Sequence, residues 1–272
     1  MRGSALFRGS QKLLLKQKSM IQYGLIGNPL THSFSAEYFN KKFRNEGIDA
    51  AYRLYPLNSL QELHELITQV PGLRGLNVTI PFKQSILDFL GTVSPEAEAI
   101  GAVNTLLINR SNQGFTLSGF NTDAPAFAAE IEDFAVNCRP QALILGTGGA
   151  AAAAAYVLRK MNFRLFRVTR NAPDQGNGLI SYAELTGAIM NETGLIVNAT
   201  PAGMFPSVNQ KPEIPAHLIN ESHFIYDMIY NPEETLLMQE GRKRGARVSN
   251  GLGMLYRQAE LAWDIWQHQA KK

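Results

Sequence analysis

The sequence of 272 residues contains a single cysteine, Cys138. One thiol cannot form an intrachain disulfide, and it cannot supply the several sulfur ligands of a cysteine-rich metal site. A secreted disulfide scaffold is therefore excluded, and the composition is typical of a reducing compartment. We expect a cytoplasmic protein that holds no metal.

The sequence also lacks a long apolar run and a strong excess of one charge. No hydrophobic stretch approaches the ~20 residues that cross a bilayer. The formal net charge is only +3, and no basic stripe is interleaved with aromatic residues. We therefore expect neither a membrane nor a nucleic-acid partner, although a small anionic ligand would not be repelled.

Residues 1–19 carry several basic side chains and no acidic one, which superficially resembles an organelle transit peptide. However, a second methionine, Met20, stands directly before the first strand pattern, "IQYGLIG". We interpret residues 1–19 as a leader or tag and expect them to be poorly ordered.

From Met20 onward, short β-rich runs alternate with helical stretches, which predicts an α/β protein with parallel sheets covered on both faces. Two such systems follow one another, and the organisation changes near Asn121. The first has expected strands near 21–26, 51–55, 75–79 and 103–108, and helical segments near 35–46, 59–69, 83–90 and 95–101. The second has expected strands near 141–145, 163–168, 195–198 and 223–227.

Two further segments complete this outline. The stretch "SNQGFTLSGF" is typical of a hairpin tip and its returning strand. The tail "GLGMLYRQAELAWDIWQHQ" has apolar residues at helical spacing and predicts a helix with one buried face, which can pack on the first system.

The segment "ALILGTGGAAAAAAYVLRK" follows an apolar strand and opens a helix. Gly146, Gly148 and Ala151 match the G-x-G-x-x-A arrangement of dinucleotide-binding loops. The first glycine permits a tight turn, the second lets the backbone approach a pyrophosphate, and the helix N-terminus attracts the anion. A tight strand-to-helix connection without a ligand is the alternative, but strand, spacing and helix together favour dinucleotide binding.

The next strand, "FRLFRVTRN", ends in Arg170, where NAD-binding sites usually present an acidic residue to the ribose. A guanidinium suits the 2′-phosphate of NADP, which a carboxylate would repel. We therefore expect NADP, with a solvated arginine at a strand end as the alternative. The later segment "NATPAGM" predicts a turn near the nicotinamide.

Polar residues gather at the expected strand ends of the first system, where open α/β sheets bind ligands. Each has a structural alternative: Ser35 and Asp123 can cap helices, and Lys83 can be solvated. Together they supply the groups suited to a small polyhydroxylated acid; they are Ser33, Ser35, Asn77, Thr79, Lys83, Asn104 and Asp123. Beside a dinucleotide loop, this set favours hydride transfer between a carbonyl and an alcohol.

Taken together, the motifs resemble those of the shikimate dehydrogenase family. The resemblance runs from Met20 to the C-terminus and rests on "GNPLTHSFS", "LNVTIPFK", "GAVNT", "GFNTD", "GTGGAAAA", "NATPAGM", "DMIYNP" and "GLGMLYRQA", in this order. It implies reversible NADPH-dependent reduction of 3-dehydroshikimate to shikimate, a step of chorismate and aromatic amino-acid biosynthesis.

The resemblance also implies a two-domain α/β fold with the active site in the cleft between the domains. A substrate domain would span 20–122 and be completed by a C-terminal helix at 251–272. A Rossmann-type NADP domain would span 123–250. Such a cleft is expected to close around the substrate.

The family pattern further implies a role for each matching residue. Lys83 and Asp123 would form the catalytic pair, with the lysine donating a proton to the oxygen that gains charge as hydride arrives. The implied substrate ligands are Ser33 and Ser35 at the carboxylate, with Tyr230 nearby, and Asn77, Thr79, Asn104 and Gln258 at the hydroxyls. The implied cofactor contacts are Gly146, Thr147, Gly148, Gly149 and Ala150 at the pyrophosphate, Thr169 and Arg170 at the adenosine phosphate, and Asn198, Thr200, Met228 and Gly251 towards the nicotinamide.

The chain departs from the family pattern at two places. The family reads Asn-Arg-Thr and a further basic residue after its second nucleotide strand, whereas this chain reads Thr169-Arg170-Asn171, with Asp174 near the place of the second cation. We therefore expect one cationic side chain, not two, at the 2′-phosphate, which weakens the preference for NADP over NAD. In the serine motif, Ala36 replaces the usual proline at a cost in local rigidity.

Two other functions stay open. A dehydrogenase of quinate or of both acids, with relaxed use of NAD and NADP, would share this architecture. A catalytically idle NADP-binding regulator would keep the fold without the chemistry, and the presence of Lys83 and Asp123 argues against it. The sequence leaves open whether the protein is a monomer or a homodimer.

Overall fold

In a computed structural model that describes residues 20–30, 33–170 and 178–269, the chain forms two six-stranded sheets, one after the other. The expected leader, residues 1–19, lies outside the described residues. The sheets are joined by a helix, and the C-terminal helix returns to the first sheet. The α/β architecture expected from the sequence is confirmed.

The first sheet lies within residues 21–120 and has the strand order β2-β1-β3-β5-β6-β4. Its strands are β1 (Ile21–Gly27), β2 (Ala50–Pro56), β3 (Leu73–Val78), β4 (Thr92–Val93), β5 (Thr105–Ser111) and β6 (Gly114–Phe120). Its helices are α1 (Phe34–Glu46), α2 (Leu63–Gln69) and α3 (Pro95–Ile100).

The expectation of a parallel sheet is wrong for this half. Strand β1 runs parallel to β2 and β3, but β5 runs antiparallel to both β3 and β6. The cause is local, because β5 and β6 are joined at residues 112–113, and so short a connection can only reverse the chain. The hairpin expected from "SNQGFTLSGF" is thus present.

Two expected helices of this half are shorter than the sequence pattern suggests. Between 83 and 90 only a 3-10 turn forms, at Ser85–Phe89, and the segment near 59–69 begins with a 3-10 turn at Leu60–Glu62 before α2. Helix α1 begins one residue earlier than expected because Ser33 is its N-cap, and the Ser33 hydroxyl accepts a hydrogen bond from Ala36 N–H at 3.4 Å. Ser35 therefore lies inside the first turn and does not cap the helix.

The second sheet is wholly parallel, with the strand order β12-β11-β10-β7-β8-β9. Its strands are β7 (Gln141–Leu145), β8 (Arg164–Thr169), β9 (Leu179–Ser181), β10 (Leu195–Asn198), β11 (Phe224–Asp227) and β12 (Arg247–Asn250). The helices of this half are α4 (Asp123–Ala135), α5 (Gly149–Lys160), α6 (Gly187–Glu192) and α7 (Leu236–Lys243), and α8 (Leu252–Gln269) follows it. The edge strands β9 and β12 were not expected, because three or four residues without a long apolar run give no clear strand pattern.

Helix α8 follows the second sheet and packs on the first sheet. Its buried face joins Ala259, Trp263 and Trp266 to Tyr23 and Phe39 of β1 and α1. The Trp266 indole N–H donates to the carbonyl of Leu106 at 3.0 Å and lies against Gly75 of β3, where a side chain would clash. This contact fixes the C-terminal helix over the strand that leads to the candidate site.

The alanine-rich helix α5 joins the two halves. Ala151, Ala154 and their neighbours are buried in one core with Ile100 and Ala102, which belong to the first half. Small side chains let this helix approach its neighbours closely. The described residues contain no helix with the length and hydropathy of a membrane span.

Candidate active site

Lys83 and Asp123 form a short ion pair between the two halves of the molecule. The Lys83 Nζ lies 2.6 Å from Asp123 Oδ2, and both side chains are largely buried. Lys83 lies in the loop after β3, where its own carbonyl accepts from Val103 N–H at 2.7 Å. Asp123 is the first residue of α4, and Thr122, not Asp123, is the N-cap. The capping alternative for Asp123 is therefore wrong.

The Asn104 side chain holds Asp123 from the other side. Its Nδ2 donates to Asp123 Oδ1 at 2.8 Å and to Thr122 Oγ1 at 2.9 Å. Its Oδ1 accepts from Thr122 N–H at 2.8 Å and from the Thr105 hydroxyl at 3.1 Å. Since this amide is fully engaged, its first effect is to orient the carboxylate towards Lys83.

Asn77 is linked to this network and to helix α1. Its Nδ2 donates to Thr105 Oγ1 and to the carbonyl of Asn104, both at 3.3 Å. Its Oδ1 accepts from the Tyr52 hydroxyl at 2.8 Å, and the Ser35 side chain lies near that hydroxyl. Burial raises the pKa of Tyr52 well above its usual value, so the hydroxyl stays protonated. One chain of polar contacts thus runs from Tyr52 to Lys83.

The remaining residues expected at the substrate lie around the start of α1 and the end of β3. Ser33 caps α1, and the next residue, Phe34, packs against the Tyr230 ring with the centroids 6.0 Å apart. Burial raises the pKa of Tyr230, which keeps its hydroxyl neutral. Thr79 directly follows β3, where its N–H donates to the carbonyl of Ile26 at 2.9 Å. The Gln258 amide donates back to Leu255 of its own helix at 2.9 Å, and its contribution to a substrate site stays a prediction.

The loop between β7 and α5 has the form expected for a dinucleotide. Gly146 has φ of 111°, a conformation that favours glycine, and Gly148 has no atom within 4 Å of the place where a Cβ would stand. This open space lies at the N-terminus of a twelve-residue helix, which begins at Gly149 with Ala150 in its first turn. Thr147, between the two glycines, is exposed. Backbone N–H groups, helix dipole and free space fit a pyrophosphate.

The residues expected at the adenosine phosphate stand where β8 ends. Thr169 is the last residue of β8, and Arg170 follows it with an exposed side chain. Residues 171–177, which include Asn171 and Asp174 of the departure from the family pattern, lie outside the described residues. The expected single cationic contact therefore stays a prediction that rests on Arg170.

Asn198 organises the turn that follows β10. Its Oδ1 accepts from both Thr200 N–H, at 3.1 Å, and the Thr200 hydroxyl, at 2.7 Å, while its Nδ2 donates to Asp227 at 3.0 Å. Asp227 also accepts from the Thr235 hydroxyl at 2.7 Å, and burial raises the pKa of this carboxyl. The side-chain amide of Asn198 thus makes its hydrogen bonds within the protein, and these bonds fix the shape of the turn.

Met228 and Gly251 lie together at the ends of β11 and β12. The Gly251 Cα lies so close to the Met228 carbonyl that any side chain would clash, and its N–H donates to Ile229 at 3.1 Å. Met228 N–H donates to the carbonyl of Asn198 at 3.0 Å. Backbone contacts therefore connect the two residues expected near the nicotinamide with each other and with the start of the 198–204 turn.

Sequence reasoning did not find Tyr52, Thr105, Thr122 or Asp227. Thr122 and Asp227 stand in the segments "GFNTD" and "DMIYNP", so their positions in these motifs could have identified them as site residues. Tyr52 had no such signal, because its role depends on the pairing of β2 beside β1. Among the described residues, no three His, Cys, Asp or Glu side chains are grouped as metal ligands, and the single cysteine, Cys138, is half-buried.

Comparisons with known proteins identify relatives of this chain. A family model described as the shikimate dehydrogenase substrate binding domain matches residues 25–106. The shikimate dehydrogenase (NADP(+)) of Desulforamulus reducens is 35% identical over 264 residues, which cover 89% of this chain and 88% of that protein.

Solved structures are similar over the same extent. Shikimate dehydrogenase 1 from Peptoclostridium difficile superposes with a TM-score of 0.81 and 35% identity, covering 92% of each chain. Shikimate 5-dehydrogenase from Thermus thermophilus, solved in complex with NADP(H) and shikimate, gives a TM-score of 0.76 at 32% identity, over 92% of this chain and 94% of that one.

Proposed function

We propose, since this chain belongs to the shikimate dehydrogenase family, that it catalyses the reversible NADPH-dependent reduction of 3-dehydroshikimate to shikimate. The observation that carries the proposal is the pair of Lys83 and Asp123, held at 2.6 Å beside the start of α5. This pair brings a proton donor next to the loop that fits a dinucleotide.

In this reaction NADPH supplies the hydride, and the chain must supply a proton. Lys83 is suited to that role because its ammonium carries three donor hydrogens, is largely screened from water and is aligned by a carboxylate. Donation from Nζ to the carbonyl oxygen stabilises the charge that develops there. In the oxidative direction the amine takes the proton back.

Asp123 acts on Lys83 through charge and position. Its carboxylate accepts from Nζ through Oδ2 and from Asn104 Nδ2 through Oδ1, so both oxygens have defined partners. This arrangement restricts the rotation of the lysine side chain, which lowers the entropic cost of reaching the reactive geometry.

The substrate would lie between this pair and the start of α1. Ser33 and Ser35 lie at a helix N-terminus, where hydroxyls and the helix dipole favour the carboxylate of the acid. Tyr230, close to Phe34, would add a third hydroxyl there. Asn77, Thr79 and Gln258 would then face the ring hydroxyls, and Asn104 would lie beside them while its amide holds Asp123.

The cofactor would lie along the carboxyl ends of the second sheet. The residues assigned to it are Gly146, Thr147, Gly148, Gly149 and Ala150 for the pyrophosphate, Thr169 and Arg170 for the 2′-phosphate, Asn198 and Thr200 for the shape of the turn, and Met228 and Gly251 near the nicotinamide. Arg170 supports NADP because its cation complements a phosphate dianion.

We also propose the coarser features that the sequence suggested. The substrate domain would comprise residues 20–122 with the helix 251–272, and the cofactor domain residues 123–250. The protein would act in the cytoplasm as a monomer or a homodimer. Sedimentation velocity would distinguish these two oligomeric states.

The test is an assay of purified protein that follows loss of NADPH absorbance with 3-dehydroshikimate. Parallel arms replace shikimate by quinate and NADP by NAD in the oxidative direction. We expect the highest kcat/KM with shikimate and NADP. A higher value with quinate would reassign the substrate, and cofactor binding without turnover on either acid would favour the regulator.

A further inference from the structure

The three glycines of the loop "GTGG" have different surroundings. At Gly146 the backbone requires glycine, because φ is 111°. At Gly148 a Cβ would meet no atom within 4 Å. At Gly149 a Cβ would stand 2.7 Å from Lys83 Cβ, 3.1 Å from Lys83 Cδ and 3.4 Å from Ala102 Cβ. The atoms that require glycine at 149 thus belong to the other half of the molecule.

Neither the motif nor the backbone explains a glycine at this position. In G-x-G-x-x-A, Gly149 occupies an unconstrained position. It is the first residue of α5 and does not have a positive φ, so alanine would fit the helix better. The close approach of Lys83 is the feature that a larger residue would disturb.

The Lys83 side chain has little room to move away. Carbon atoms pack at about 3.5 to 4.0 Å, so a methyl group at residue 149 would force the lysine stem outward. The root of the side chain is held because the Lys83 carbonyl accepts from Val103 N–H at 2.7 Å. Its tip is held by Asp123 at 2.6 Å. A displaced stem must therefore move the ammonium relative to the carboxylate.

We propose that Gly149 is a positioning residue for Lys83: its missing side chain lets the lysine stem lie against the first turn of the cofactor helix. The proposal rests on the proposed function and deepens it, because it ties the place of the proton donor to the loop that holds the cofactor. The backbone N–H of Gly149 belongs to the first turn of α5 and stays available for the cofactor, and the role of the absent Cβ is separate from it.

The kinetic experiment compares Gly149→Ala with Gly148→Ala, which places the same methyl group one residue earlier and away from Lys83. In Gly149→Ala we expect kcat to fall by about 100-fold, as for a misplacement of about 1 Å, while the NADPH dissociation constant stays close to wild type. The solvent deuterium isotope effect on kcat should rise, because proton donation becomes slower. In Gly148→Ala the main effect should be weaker NADPH binding.

Two kinetic outcomes would overturn the proposal. One is a Gly149→Ala variant with wild-type kcat, whatever its affinity for NADPH. The other is a loss of kcat with an unchanged solvent isotope effect, because a fault elsewhere in the fold would not act on the proton.

A thermal unfolding cycle tests the contact without using activity. It compares wild type, Gly149→Ala, Lys83→Gly and the double variant, because glycine at 83 removes both atoms that face Gly149. Gly149→Ala should lower the Tm in the Lys83 background and lower it far less in the Lys83→Gly background. Equal decreases in both backgrounds would overturn the contact. If the wild type lacked reductase activity, the proposed function would be wrong. The unfolding cycle would still decide whether the missing side chain of Gly149 makes room for Lys83.

Discussion

The Lys83 ammonium and the Asp123 carboxylate lie 2.6 Å apart, although the two residues are 40 positions apart in the chain. Lys83 follows the last residues of β3, and Asp123 opens α4, the helix that leads to the second sheet. The pair therefore marks the point where the two halves meet, and its partners are largely removed from water. Burying an ion pair costs desolvation free energy, so this pair is weak evidence for stability, and the role proposed for it is catalytic.

Replacing Lys83 by alanine tests this assignment directly. Loss of a general acid typically costs 10² to 10⁴ in rate, so we expect kcat to fall by about that factor. The NADPH dissociation constant should stay close to wild type, because no cofactor contact is assigned to the Nζ atom. Steady-state kinetics and a fluorescence titration of NADPH measure the two quantities.

The matched control for this variant is Lys42→Ala. Lys42 is also ion-paired, with Glu46 at 2.9 Å and Glu260 at 3.1 Å, but these partners lie on α1 and α8 away from Asp123. Its replacement should leave kcat unchanged. Equal activity in the Lys83 and Lys42 variants would refute the catalytic role of Lys83.

Tyr52 is expected to set the positions of two substrate residues. Its hydroxyl donates to Asn77 Oδ1 of β3 at 2.8 Å, and Ser35 of α1 lies near the same hydroxyl. In Tyr52→Phe the ring still fills its place, but Asn77 Oδ1 loses a buried donor, at a cost of about 1 to 3 kcal/mol. We expect a clear rise in KM for shikimate and a smaller effect on KM for NADP.

Tyr55→Phe is the control, because Tyr55 lies on the same strand and its hydroxyl donates to Gln22 at 3.0 Å instead. Both variants lose one tyrosine hydrogen bond, so both are expected to lose free energy of unfolding. Only Tyr52→Phe should change the KM for shikimate, and a wild-type value there would show that the hydroxyl has a purely structural role.

Some parts of the fold and of the candidate site follow from local sequence, and others depend on distant contacts. The dinucleotide loop and the residues at strand ends were predictable, because a parallel strand brings a short motif to a known edge of its sheet. The antiparallel β5 was missed, since the alternation of strands and helices does not give strand direction. The contacts of Tyr52 with Asn77 and of Gly149 with Lys83 join positions 25 and 66 residues apart, and no local pattern encodes such pairs.

Arg170 is predicted to determine the choice between the two dinucleotides. Its exposed side chain follows Thr169 at the end of β8, where a 2′-phosphate would lie. Arg170→Ala removes the only cation assigned to that phosphate, so KM for NADP should rise by about 10-fold, the effect of losing one charged hydrogen bond of about 1.5 kcal/mol. KM for NAD should hardly change.

Arg164→Ala serves as the comparison for Arg170. Arg164 begins the same strand, and its guanidinium lies over the Phe166 ring at 5.2 Å from the centroid, at the opposite end of β8. It should not alter the ratio of kcat/KM for NADP and NAD. If Arg170→Ala left that ratio unchanged as well, the assignment of Arg170 to the phosphate would be wrong.

The buried His223 predicts how the stability of the protein depends on pH. Its Nδ1 accepts from Asn220 N–H at 3.1 Å, and its Nε2 lies 3.1 Å from the Met190 carbonyl, so the neutral ring with a proton on Nε2 satisfies both contacts. Burial lowers the pKa of His223 and outweighs the backbone hydrogen bonds to Met190 and Asn220, which raise it, and the positive charge of Arg139 adds to the lowering. The folded protein therefore resists protonation of this ring.

In the unfolded chain His223 titrates near its ordinary pKa of about 6.5. As the pH falls through that value, the unfolded state binds a proton that the folded state does not, so the free energy of unfolding decreases. The decrease continues until the pH reaches the lower pKa of the folded state. Urea unfolding between about pH 7.5 and pH 5.5 should show this loss, since the window spans the unfolded pKa.

His223→Gln removes the titration while keeping one donor and one acceptor in the same place. The variant should lose less stability than wild type over this pH range, even if it is less stable at neutral pH. His217→Gln, at an exposed site in the 3-10 turn Ala216–Leu218, should follow the wild-type dependence. A His223→Gln variant whose unfolding free energy falls as steeply as that of wild type would show that another group is responsible, because removing the buried imidazole must remove its share of the proton uptake on unfolding.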